Sequence, residues 1–334
     1  MDIVPALVLL IVSLIVLDQF SHLTITNAIK VSDITGLGKT TVGFILLAFS
    51  TSLPELSVAF LASLGGDAAI SAGNVIGSNI VNICLIIGLA ALLVALKRPN
   101  APSMVDSFAK EELGSLYFGL FVASIIPLSL VYLVGANWLV GLALILVFVF
   151  YTFRLMKIRI PPEEGAKVSE EMRRRLRLYV ALTFVGAVGV VISAYFIVES
   201  AVTVAEFAGV PRILIGATII AFGTSLPEFT LDVRAFLKGH LALAFGDIIG
   251  SCFINITLIL GITLLVPALV GQPSTMNMLV FLDLVVFSLI ANLLLWYFLS
   301  MGRLGWREGA ILLFIYLLFL ATSLGAIQLR VQPT

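Results

Sequence analysis

Long apolar runs separated by short polar connections dominate the chain. Their lengths suit helices that cross a hydrocarbon core about 30 Å thick. Ten such spans are predicted, at roughly 3–20, 38–63, 69–96, 114–134, 137–156, 178–203, 210–236, 241–268, 277–300 and 307–328. The short alternating segments of a membrane β-barrel are not seen. One long polar connection, KIRIPPEEGAKVSEEMRRRLR at 157–177, separates five spans from five. The expected organisation is therefore a first membrane unit at 1–156, a linker at 157–177 and a second unit at 178–334.

Polar residues inside the spans follow a repeat. Shifted by 173 positions, residues 44–88 align with 217–261 without a gap, and 20 of the 45 positions are identical. TSLPE occurs at 51–55 and again at 224–228. Shared composition can match two apolar helices, but it does not align Pro54, Glu55, Ser78 and Asn82 with Pro227, Glu228, Ser251 and Asn255. Five spans per half is an odd number, so the second half enters the membrane with the opposite orientation. The predicted architecture is an all-α membrane protein of about ten helices in two inverted-topology repeats, with helices 2 and 7 broken. Such architectures are typical of secondary transporters with a midplane binding site.

Composition agrees. The chain is 60% hydrophobic and 11% charged, with a mean hydropathy of +1.17, against about 25% charged residues in soluble domains. A net charge of zero argues against a nucleic-acid partner. Two cysteines, both inside spans, and two histidines give neither a disulfide framework nor a Cys/His metal cluster. The N-terminus lacks a basic leader and a cleavage site, and reads as a retained helix. With the N- and C-termini outside a cell membrane, 17 of the 19 basic residues fall at cytoplasmic loops; Arg212 and Arg330 do not.

The repeated phrase is costly in a bilayer. Proline removes a backbone donor and frees the carbonyl four residues back, near Ser50 for Pro54 and near Gly223 for Pro227. Freed carbonyls are tolerated only against protein or a wet cavity. An ionised carboxylate at midspan costs a few kcal/mol, and no Lys or Arg lies at the depth of Glu55 and Glu228 to offset it. Bound cations are the better compensation. Thr51, Ser52 and Glu55 share a helix face, as do Thr224, Ser225 and Glu228. Asn74, Ser78 and Asn82 form a polar stripe in the next span, repeated by Asp247, Ser251 and Asn255. Gly73/Gly77 and Gly246/Gly250 flank the stripes and allow close helix approach. Carboxylate, amide, hydroxyl and carbonyl oxygens together suit a hard cation such as Ca²⁺, and Na⁺ could compete for the same carboxylates. No enzyme activity and no cofactor are expected; the expected partners are Ca²⁺, Na⁺ and the lipid bilayer.

The segments FSTSLPELSVAFLASLGGDAAISAGNVIGSNIVNICLIIG and FGTSLPEFTLDVRAFLKGHLALAFGDIIGSCFINITLILG resemble the two α-repeats of the sodium/calcium exchanger family, within the cation/calcium antiporter superfamily, in its compact prokaryotic form. The resemblance implies Na⁺/Ca²⁺ antiport by alternating access. It implies that Glu55 and Glu228 bind Ca²⁺ and share in binding Na⁺. Thr51 and Thr224 would add oxygens, and Ala48 and Ala221 backbone carbonyls. Ser52 with Ser78 would form one Na⁺ site and Ser225 with Ser251 the other, with Asn82 and Asn255 completing the centre. Spans 1 and 6 would slide as a pair to open the cavity to alternate sides.

The sequence departs from that pattern at Ser50, Cys252, Asp247 and Asp232. Asp232 and Asp247 could form a vestibule that attracts cations or lets protons compete. The plainer reading, an interfacial ion pair with Arg234, Lys238 or protonated His240, is favoured for Asp232; for Asp247 both stay open. Ca²⁺ antiport driven by H⁺, or assisted by K⁺, is the alternative function. Paired Ser and Thr favour Na⁺, and Asn at 82 and 255 disfavours K⁺. A channel fits inverted repeats and broken helices less well. An intramembrane aspartyl hydrolase, suggested by FGDIIG, is remote because Asp247 aligns with Asn74 and the shared acids are glutamates.

Overall fold

The computed structural model describes residues 3–65, 68–97, 110–132, 136–157, 170–207, 225–272 and 275–331. Among these, every regular element is helical, and one isolated antiparallel bridge joins Ala136 to Met276. Among the described residues, eight helices are long and apolar enough to span a membrane. The chain is an all-α membrane protein.

Helix α1 is Ile3–Thr35. The second predicted span is broken, into α2 (Lys39–Thr51) and α3 (Leu53–Leu64). Helix α4 runs as Ala68–Ile80, a π-helical Val81–Ile87 and Gly88–Lys97. Helices α5 (Lys110–Tyr132) and α6 (Trp138–Leu155) follow. After a short α7 (Glu170–Arg174) come α8 (Leu176–Phe207) and α9 (Leu226–Lys238). Helix α10 runs as Leu241–Ile254, a π-helical Asn255–Ile259 and Leu260–Leu269. Helices α11 (Leu282–Ser300) and α12 (Trp306–Val331) close the chain. The amino-terminal part of the seventh predicted span, including Thr224 and Ala221, lies outside the described residues.

Helix α1 runs about four turns past the predicted end at residue 20, to Thr35, because its C-terminal half carries polar residues that a hydropathy window excludes. Two of those residues bond back to their own helix. Thr24 Oγ1 donates to the Phe20 carbonyl at 2.8 Å, and Asn27 Nδ2 to the Leu23 carbonyl at 2.7 Å. Ser21, Thr24, Asn27 and Ser32 are also buried, on a helix that packs mainly against α8.

The repeat-related Gly88 and Gly261 make equivalent crossings. A Cβ on Gly309 of α12 would lie 2.7 Å from the Gly88 carbonyl oxygen, and one on Gly141 of α6 would lie 2.6 Å from the Gly261 carbonyl oxygen. The third helix of each half is therefore held against the last helix of the other. These reciprocal crossings bring α4 and α10, the two polar-striped helices, to the middle of the fold.

Candidate functional site

The site forms where α2 and α3 meet α9 and α10. The break in the second span falls at Ser52, whose backbone leaves helical geometry (φ −79°, ψ 9°). It precedes Pro54, which cannot donate to a preceding turn. Glu55 lies in the first turn of α3, and Glu228 in the first turn of α9, whose N-cap is Ser225. Helix N-termini favour negative charge, so both glutamates occupy the turn best suited to a carboxylate. Each is 1% exposed.

Helix α10 approaches α2 closely. A Cβ on Gly246 would lie 2.2 Å from the Thr40 carbonyl oxygen, and one on Gly250 would lie 2.8 Å from Phe44 Cα. The Gly246/Gly250 pair thus does what its spacing predicts, seating the second polar stripe on the broken helix of the other half. Two hydroxyl contacts cross there. Thr51 Oγ1 donates to Asp247 Oδ1 at 3.3 Å, and Ser52 Oγ to Ser251 Oγ at 3.3 Å. The serine contact seen is therefore between repeats. Ser78 is buried on α4, and the Ser225 hydroxyl is buried without a partner.

The acids converge. Glu228 lies near Glu55 and Asp247, and Asp232 lies beside Asp247 and near Glu228. Among the described residues, Asp232 makes no ion pair with Arg234 or Lys238, the partners first expected for it. Asp232 sits one turn beyond Glu228 on the buried face of α9, while Arg234, two positions on, turns toward α1. Arg234 donates to the Asp18 carboxylate and, at 2.7 Å, to the Asp18 carbonyl on α1.

Buried oxygens without a protein partner cluster on these residues: both of Glu55, Glu228 Oε2, Asp232 Oδ2, Asp247 Oδ2, Asn82 Oδ1 and Asn255 Oδ1. Leaving such groups unmatched costs about 1–3 kcal/mol each, more when charged. Their donor set is all-oxygen and fits a hard cation. Among the described residues no three His, Cys, Asp or Glu side chains could hold a metal by themselves, so a cation here has to draw on amide, hydroxyl and backbone oxygens as well. Ala48 is buried in α2, one turn before the break, and Asn74 is half-buried on α4 with its Nδ2 unpartnered.

Asn82 and Asn255 each lie in a π-helical segment. Such widened turns leave the regular hydrogen-bond ladder and recur at functional sites. A residue that the sequence did not single out is also present. Asn79 is fully buried, donates from Nδ2 to the Cys252 carbonyl at 3.3 Å, and accepts from Asn255 Nδ2 at 2.9 Å. Its only signal in the sequence is its place in GNVIGSN, where the second repeat has Cys252.

The sequence matches the family described as sodium/calcium exchanger protein over residues 5–157 and 178–325. It is 29% identical over 346 residues to the sodium/calcium exchanger MaX1 of Methanosarcina acetivorans, covering 93% of this chain and 96% of that protein. It is 25% identical over 301 residues to a Ca²⁺/H⁺ antiporter of Synechocystis sp., covering 82% of this chain and 80% of that one. The fold superposes with a TM-score of 0.79 and 24% identity on the sodium-calcium exchanger NCX_Mj soaked with 10 mM Na⁺ and no Ca²⁺, covering 96% and 99% of the two chains. The chain belongs to the sodium/calcium exchanger protein family, a family of membrane transporters and not of enzymes.

Proposed function

We propose that the protein exchanges Na⁺ for Ca²⁺ across the cell membrane by alternating access, with Glu55 and Glu228 as the paired carboxylates of one buried oxygen cage. The observation that carries this reading is the unpartnered carboxylate oxygens of both glutamates, buried together with the free amide oxygens of Asn82 and Asn255. Two carboxylates neutralise one Ca²⁺, and the same oxygens serve Na⁺, so the ions compete. Thr51, Ser52, Ser78, Ser225, Ser251 and the Ala48 carbonyl supply neutral oxygens around them; Thr224 and Ala221 take the corresponding roles in the second half. No cofactor enters the cycle. In this reading the N- and C-termini face outside, an orientation that the distribution of Lys and Arg supports. Supporting the reading are the family match and the name of the relative MaX1.

One observation favours a second reading. The carboxyl groups of Asp232 and Asp247 lie side by side and buried, and a proton on one of them would relieve the repulsion between like charges. That suits H⁺-coupled Ca²⁺ transport, the activity named for the Synechocystis relative. Ca²⁺ uptake into proteoliposomes, driven in turn by outward Na⁺ and H⁺ gradients, separates the two. Uptake that needs internal Na⁺ and is lost in both Glu55→Gln and Glu228→Gln supports exchange with Na⁺. Uptake driven by a pH gradient without Na⁺ moves the assignment to the proton.

A further inference from the structure

We infer that Asn79 is a positioning residue that fixes which end of the Asn255 amide faces the cation. The argument begins at a backbone carbonyl. A carbonyl oxygen only accepts hydrogen bonds. The Cys252 carbonyl therefore takes the Nδ2 end of Asn79, at 3.3 Å. That leaves Asn79 Oδ1 as an acceptor, and an acceptor can be met only by a donor, the Nδ2 of Asn255, at 2.9 Å. With its Nδ2 so engaged, Asn255 has only its Oδ1 left to present. That oxygen is buried with no protein partner, on the helix face that also carries Asp247 and Ser251.

Without this relay, the two ends of a carboxamide are nearly equal in shape and free to exchange. One orientation offers a cation an oxygen, the other a repelling pair of N–H groups. The relay also joins the halves, since Asn79 belongs to α4 and Asn255 to α10.

The other half lacks the device. Cys252 occupies the position related to Asn79 by the 173-residue shift. Its thiol lies near Asn82, and sulfur is a weak hydrogen-bond partner. Asn82 Oδ1 is likewise buried and free, but its amide is held less firmly.

The inference rests on Asn255 being a cation ligand, as proposed above, and its test separates the two. Ca²⁺ binding is measured on the purified full-length protein in detergent, with monodispersity as the check on folding. Asn79→Leu, which keeps the volume and removes both polar ends, is expected to weaken Ca²⁺ binding about tenfold. Asn79→Asp, which keeps an acceptor for Asn255 Nδ2, is expected to retain at least a third of the affinity. The deciding measurement repeats Asn79→Leu in an Asn255→Asp background. A carboxylate has two oxygens and no wrong end, so the loss there is expected to shrink below threefold. An equal loss in both backgrounds, an Asp as harmful as the Leu, no loss in any variant, or loss of binding by Asn255→Asp itself each overturns the inference in favour of simple packing. Glu55→Gln is the control: if it still binds Ca²⁺ with unchanged affinity, the proposed cage fails and the inference falls with it.

Discussion

The two aligned stretches, 44–88 and 217–261, share their costly residues and differ in what surrounds them. Asn74, Ser78 and Asn82 in the first align with Asp247, Ser251 and Asn255 in the second, Ala59 with Asp232 and Asn79 with Cys252. The second half thus brings two more carboxyl groups to the centre, and the first half brings the amide that fixes orientation. The glycine environments also differ. Gly246 and Gly250 press on the backbone of α2, whereas a Cβ on Gly73 would meet only the Phe281 ring, at 3.5 Å, among the described residues. Symmetry of sequence carries the shared chemistry, the paired glutamates and stripes. Asymmetry at a few positions gives each half its own task.

The largest expected effect tests what the halves share. Glu55→Gln and Glu228→Gln are each expected to lower Ca²⁺ exchange in proteoliposomes at least 100-fold, because either change removes half the charge of the cage. A loss confined to one variant would break the symmetry of the site at its centre. Next comes packing. Gly246→Ala places a methyl group into the Thr40 carbonyl, where backbone and not a flexible side chain must give way. Overpacking of this kind costs typically 1–3 kcal/mol. It is expected to lower the melting temperature in detergent by several degrees, while Gly73→Ala changes it little. Equal shifts would mean that the two stripes are seated alike.

The acids come third. Protonating Asp232 or Asp247 removes negative charge beside Glu228, so Ca²⁺ uptake should fall as the pH on that side falls. Asp247→Asn removes one of the two acids and makes the second stripe match the first. Uptake in this variant is expected to be less inhibited at low pH, read from the pH profile at fixed Na⁺ gradient. An unchanged rate and profile would reduce the acid pair to a structural contact.

How much of this the sequence disclosed follows the reach of each interaction. The repeat was readable because TSLPE and the stripes lie in short, gapless segments, and helical spacing alone groups Thr51 with Glu55. The length of α1 was not, since a hydropathy window cannot tell a polar residue facing lipid from one buried against α8. Neither was the fate of Asp232. Arg234, two residues away in sequence, is committed to Asp18 on another helix, 216 positions distant. Asn79 was passed over because its role is defined by Asn255 and Cys252, 176 and 173 residues away. Such pairings are properties of the folded helices, and no local pattern encodes them.

The smallest expected effect addresses the amide holders directly. In the second half the group near the Asn82 amide is the Cys252 thiol, at best a weak hydrogen-bond partner. Cys252→Ala removes it with little change in volume and leaves the Asn79 bond to the Cys252 carbonyl in place, because that bond is to the main chain. Asn82 would then turn more freely, and Ca²⁺ affinity is expected to fall by about two- to threefold, well short of the loss expected for Asn79→Leu. The two variants measured together rank the holders. If Cys252→Ala weakens binding as much as Asn79→Leu, the thiol orients its amide as firmly as the carboxamide does, and the division of labour between the halves rests on the acids alone.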